Sequence, residues 1–172
     1  MRRVTPRLGW LAMLALGGCI GAKPAPPDYL ATQGRMSSAA LFDPARFGGD
    51  WRVIRSGAGG CAGAQQSWRF DGAQTYALSG VDCSGARPAV LEGTAVVTGP
   101  GGRLMARGAA YQSKPVWLLW VDQDYRIAVL GTPDGSFAVV LARESVAARG
   151  DLTRAALEVL DFNGYDLGKL PE

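Results

Sequence analysis

From residue 41 onward the apolar positions come in short bursts. Segments rich in Val, Leu, Trp and Tyr alternate with Gly, Pro, Asp and Ser at short, regular intervals, which is the pattern of an all-β barrel or sandwich. Strands are expected near Trp51–Ser56, Gln66–Phe70, Gln74–Asp82, Ala89–Val97, Arg103–Gly108, Val116–Val121, Tyr125–Leu130 and Phe137–Arg143. Between them, Asp71-Gly72, Ser84-Gly85, Pro100-Gly101-Gly102, Asp122-Gln123-Asp124 and Pro133-Asp134-Gly135 carry turn chemistry, so consecutive strands should pair as hairpins. Eight strands paired in sequence order favour an antiparallel up-and-down barrel, because closure removes the unpaired edges. A barrel of that size leaves an interior able to hold one small ligand.

Two segments break the period of two. Asp43-Pro44-Ala45-Arg46-Phe47 reads as a single helical turn with Pro44 at its first position. After the last strand, Asp151-Leu-Thr-Arg-Ala-Ala-Leu-Glu-Val-Leu places Leu152, Ala155, Ala156 and Val159 at helical spacing, with Asp151 as N-cap and Gly164 marking the end. A helix with one apolar stripe is expected to lie against the outside of the barrel. Val116–Val121 is apolar on both faces, which suits a strand with one face inward and the other beneath that helix.

The N-terminus holds a run of another kind. Leu8 to Leu16 supplies about half of the roughly 20 apolar residues that a membrane-spanning helix needs. Arg2, Arg3 and Arg7 precede it, and Gly17 and Gly18 follow, which is the order of an export signal. Cys19, directly after Leu-Ala-Leu-Gly-Gly, resembles the cysteine of the bacterial lipoprotein lipobox. That resemblance implies that Cys19 receives lipid and becomes the mature N-terminus, anchored by several acyl chains at about 0.8 kcal/mol per buried methylene. Residue 20 is Ile and not Asp, which in such lipoproteins implies sorting to the outer membrane. The alternative is an ordinary signal cleaved near Ala22, releasing a soluble product. Residues 19–40, rich in Pro, Ala, Gly and Ser, read as a flexible tether. The expected organisation is thus a signal at 1–18, a tether at 19–40 and one domain at 41–172.

Charge and composition narrow the function. The chain carries 18 basic and 15 acidic residues, and setting aside the three signal arginines leaves a balanced domain with no electrostatic reason to bind nucleic acid. The absence of histidine excludes His-based nucleophile triads, most zinc sites and His-ligated haem, and no cofactor is expected. Cys61 and Cys83 remain, and in an exported chain two cysteines favour a disulfide over a metal pair.

At Phe42-Asp43-Pro44-Ala45-Arg46-Phe47-Gly48-Gly49-Asp50-Trp51 the chain resembles the opening of a lipocalin, with the Gly-x-Trp signature at Gly49 and Trp51. The resemblance continues at Val116 to Gly131, similar to that family's strand, Asp-x-x-Tyr turn (Asp122, Tyr125) and next strand. It continues again at Leu141-Ala142-Arg143, where the family carries an arginine. Asn163-Gly164-Tyr165-Asp166-Leu167-Gly168-Lys169-Leu170 resembles the tail of its bacterial outer-membrane branch. The family likeness implies that Arg143 lies across the face of Trp51 and that both are structural. It also places Cys61, in the first loop, and Cys83, after the third strand, at the same rim, where a bridge is feasible. Three departures bear on pocket shape: Arg52-Val53-Ile54-Arg55-Ser56 after Trp51, Val139 where a bulky aromatic is common, and a glycine-rich first loop.

A lipocalin barrel implies binding of a small hydrophobic molecule such as a fatty acid or lysophospholipid, for storage or transport, on the periplasmic face of the outer membrane. Because Arg143 must reach Trp51, alternation sends Phe137, Val139 and Leu141 inward. Trp68, Tyr76 and Leu78 join them by period, and the family implies that Trp117, which shares a face with Leu119, meets the ligand. The expected ligand-binding residues are therefore Trp68, Tyr76, Leu78, Trp117, Leu119, Phe137 and Val139. Two other classes compete: a small-barrel protease inhibitor, against which the C-terminal helix argues, and an enzyme acting on a bound lipid. Acid–base chemistry would fall to Asp82, Glu92, Asp122 or Asp124, but no carboxylate pair stands out.

Overall fold

Each strand of the chain hydrogen-bonds to its neighbour in sequence, and the last returns to the first. The computed structural model describes residues 36–143 and 149–170; the expected signal, Cys19 and the tether up to residue 35 lie outside them. The strands are β1 Gly49–Ser56, β2 Gln65–Phe70, β3 Thr75–Asp82, β4 Ala89–Val97, β5 Arg103–Gly108, β6 Pro115–Val121, β7 Ile127–Gly131 and β8 Ala138–Ala142. β8 closes antiparallel on β1, with Arg52 opposite Ala142 and Ser56 opposite Val139. The fold is the closed eight-stranded up-and-down barrel that the sequence predicts. β7 starts later than expected, because Tyr125 takes a left-handed backbone (φ 57°) and belongs to the preceding turn.

Two apolar layers result. Inside the barrel lie Trp51, Trp68, Tyr76, Leu118, Phe137, Val139 and Leu141 with their neighbours. Outside, Ile127, Val129, Ala138, Val140 and Ala142 are covered by a helix, so β7 and β8 are buried on both faces. That helix, α2 (Gly150–Phe162), buries Ala156 and Leu160 most deeply; α1 is the short turn Pro44–Phe47. Asp151 is not the cap of α2. The helix begins two residues earlier with Arg149 at the N-cap, and the Asp151 carboxylate instead takes two hydrogen bonds from the Arg149 guanidinium, at 2.9 and 2.7 Å.

The closed end is built around Trp51. The Arg143 guanidinium sits 3.8 Å from the centre of its ring. The same guanidinium donates to the carbonyls of Asp50 (2.8 Å), Gly48 (2.8 Å) and Phe47 (3.1 Å), so it is fixed by hydrogen bonds as well as by the ring. Gly49 has φ 115°, and a Cβ there would lie 2.8 Å from Arg143 Nη1, so only glycine lets the guanidinium through.

The last residues of the expected tether are docked. Ala39 donates to Leu118 O (2.8 Å) and accepts from Gly102 N (3.0 Å), joining β6 to the β4–β5 turn. Ser37 N donates to Asn163 Oδ1 at 3.2 Å. At the opposite rim a disulfide joins Cys61 to Cys83 across 22 residues. Closing a loop of that length contributes about 3 kcal/mol in the chain-entropy picture.

Candidate functional site

The expected ligand residues Trp68, Tyr76, Leu78, Phe137 and Val139 come together inside the barrel, all buried. Strand alternation puts them there: on β3, Tyr76 and Leu78 are buried while the alternating Ala77 and Ser79 are exposed. Trp117 and Leu119 do not join them. Leu118 pairs with the inward Leu130, which sends Trp117, opposite Gly131, to the outer face. A bulge between Leu118 and Trp120 then turns both Leu119 and Trp120 outward and returns Val121 to the interior. Leu119 is 5% exposed in the layer under α2, and the Arg103 guanidinium covers the Trp117 ring at 4.8 Å.

Where a hollow was expected, rings are stacked. Phe47, from α1, rests on Trp51 (5.0 Å between centroids), Trp68 (5.1 Å) and Tyr76 (5.9 Å). The Tyr76 hydroxyl points to the floor and donates to Pro44 O at 2.6 Å. Its buried phenol is pushed well above the usual tyrosine range by desolvation, so it stays neutral. Above this layer stands Tyr111, a residue the sequence reading did not single out. It is fully buried, parallel to Phe137 at 5.4 Å and tilted against Trp68 at 5.8 Å.

Tyr111 comes from a turn, Ala110–Ser113, at the mouth between β5 and β6. Tyr111, Gln112 and Ser113 all have left-handed backbone, with φ of 46°, 55° and 55°. For residues with a Cβ that conformation costs about 1 kcal/mol each. The turn sits close against β4 because Gly93 has no side chain; a Cβ there would lie 2.2 Å from Arg107 O and 3.1 Å from Ala110 Cβ.

Two buried polar groups hold the turn in place. The Asp82 carboxylate accepts from Tyr111 N (2.7 Å) and Ser84 N (2.8 Å). The Gln66 amide oxygen accepts from the Tyr111 hydroxyl at 2.6 Å, while its nitrogen donates to Val81 O at 2.8 Å. Burial, then the Asp82 charge, raise the Tyr111 phenol far above its usual range, outweighing the opposite pull of Gln66. It is therefore a neutral donor. No signal announces this in the sequence, since Ala109-Ala110-Tyr111-Gln112-Ser113-Lys114 contains neither Gly nor Pro.

The carboxylates weighed for catalysis are dispersed. Asp82 ends β3 at the open rim, Glu92 is exposed on β4, and Asp122 and Asp124 lie in the turn at the closed end. Asp122 organises that turn by accepting from Arg126 Nε (2.7 Å) and Ile127 N (2.9 Å), and Asp124 pairs with the Arg126 guanidinium at 3.2 Å. A separate groove of about 640 Å³ lies outside the barrel between β1, the first loop and α2, lined by Arg52, Ile54, Arg55, Gly63, Arg154 and Leu157.

No protein-family model matches the sequence, and neither does any curated protein. Among solved structures, apocrustacyanin C1 is similar over 84% of this chain and 89% of its own, with a TM-score of 0.54 at 12% identity. At that identity the likeness speaks for the fold alone, which is lipocalin-like.

Proposed function

We propose that this chain is a lipid-anchored lipocalin of the outer membrane, facing the periplasm, that binds a small hydrophobic molecule inside its barrel. In this reading residues 1–18 are removed, Cys19 carries the lipid, and the segment up to residue 35 tethers the barrel. Fatty acids and lysophospholipids, held for storage or transport, are the ligand classes we put forward. The observation that carries the reading is the origin of the side chain filling the upper interior. Tyr111 comes from a mouth turn and not from a strand, so that space can be vacated without breaking the barrel.

Apolar burial supplies the drive. A ligand hiding about 300 Å² of apolar surface gains roughly 7 kcal/mol before ordering costs, while a polar head stays near the rim. Titration with a fluorescent fatty acid and a fluorescent lysophospholipid should show saturable binding of one molecule per chain; a signal that rises without saturating defeats the reading. Cells fed labelled palmitate should label the wild-type chain and not Cys19→Ala. A wild-type chain that stays unlabelled removes the anchor from this account.

A further inference from the structure

The polar group deep in that interior restricts the ligand more than its apolar walls do. Gln66 is 1% exposed, and its orientation is fixed from two sides. Val81 O can only accept, so it takes the amide nitrogen at 2.8 Å. Trp68 Nε1 can only donate, and it faces the amide oxygen at 3.5 Å. The oxygen is therefore a committed acceptor aimed at the Tyr111 phenol, between the ring faces of Phe137 and Trp68. A carboxylate placed there would bring a buried charge against an acceptor, whereas a neutral hydroxyl satisfies it.

Tyr111 supplies such a hydroxyl on a flat ring, from a segment with reasons to leave. Three successive left-handed residues are relieved if the turn opens, against the bonds to Asp82, Gln66 and Ser84 and the packing of the Tyr111 ring on Phe137 and Trp68 that hold it shut. Building on the barrel-binding reading above, we propose that Tyr111 is a built-in stand-in for the ligand. Its phenol occupies a subsite for a planar ring bearing a neutral hydroxyl, and such a ligand enters by displacing it as Ala110–Ser113 swings outward. The apparent affinity of the wild-type chain is then lowered by the fraction of molecules in which Tyr111 is home.

The test is calorimetry on the full chain in lipid nanodiscs at pH 7, with empty nanodiscs as blank and 2-naphthol and 2-naphthoate as probes. The wild-type chain should bind one naphthol at least tenfold more tightly than naphthoate. Tyr111→Phe keeps the ring stack and loses the bond to Gln66, so it should bind naphthol about fivefold more tightly than wild type. Hydrogen exchange should show naphthol speeding exchange in residues 109–114 while slowing it in β2 and β8. Equal affinity of the two proteins, equal binding of the two probes, or no naphthol binding overturns the proposal. A fluorescent fatty acid titrated into the same samples separates the failures. If it saturates where naphthol does not, the stand-in falls and barrel binding survives; if neither binds, both fall.

Discussion

Arg143 works on the barrel floor in two ways, and the two are separable by substitution. Arg143→Ala removes a cation from the Trp51 face and takes a donor from the carbonyls of Phe47, Gly48 and Asp50, which should lower stability by about 3 kcal/mol in urea unfolding. Arg143→Lys keeps the charge but loses the planar fork, so it should recover less than half of that. A lysine variant as stable as wild type would show that charge alone holds the floor. Asp122, in the neighbouring turn, gives a pH dependence. Burial pushes its carboxyl up, but hydrogen bonds from Ile127 N, the Arg126 side chain and Arg126 N pull it further down, and the net shift is below the usual carboxylate range. A folded value below the unfolded one means that the stabilisation is present above about pH 4 and is lost as pH falls through the folded value. Thermal melts should therefore show Asp122→Asn less stable than wild type at pH 7, with the gap narrowing as pH falls below about 4; a gap that stays constant down to the acid limit of folding contradicts this. Gly49, Trp51 and Arg143 were legible through their resemblance to the lipocalin motifs, which implied that the guanidinium lies over the indole. Trp117 and Leu119 were not, because a strand apolar on both faces gives no cue to its orientation, and the bulge after Leu118 leaves no mark in sequence.

At the scale of elements, α2 attaches through a narrow contact. Leu160 is fully buried in the apolar layer between α2 and the barrel, while Phe162, two residues on, is 82% exposed. Leu160→Ala should cost about 3 kcal/mol and Phe162→Ala less than 0.5 kcal/mol by denaturant unfolding. Similar losses at both sites would mean that Phe162 is covered in solution. The Cys61–Cys83 bridge ties the first loop to the end of β3, and the Cys61→Ala, Cys83→Ala double variant should lose about 3 kcal/mol while keeping the barrel's far-ultraviolet spectrum. A lost spectrum would make the bridge a condition of folding and not an added staple. Strand positions were legible because alternation and turn residues both point to them. The Ala110–Ser113 turn was not, since left-handed backbone is normally announced by Gly or Asn and here falls on Tyr, Gln and Ser. The docking of residues 36–40 was hidden for a related reason: main-chain groups of Ala39 make its bonds to the barrel, and main-chain bonding carries no residue signature.

For the whole molecule, closure and filling are separate facts. Eight strands paired in sequence order and closing on themselves could be read from the chain, because an open sheet of these strands would leave two bare edges. What fills the cylinder could be read only in part, since Trp68, Tyr76, Leu78, Phe137 and Val139 follow from the strands but Tyr111 is contributed by a loop. The claim on which function rests is that this interior exchanges its own phenol for a hydrophobic guest. Native mass spectrometry of the gently purified chain tests that most directly, by weighing what it carries. The account predicts the chain plus the mass of one small hydrophobic molecule, released when the barrel is unfolded. The chain without any bound molecule under every gentle condition would contradict it.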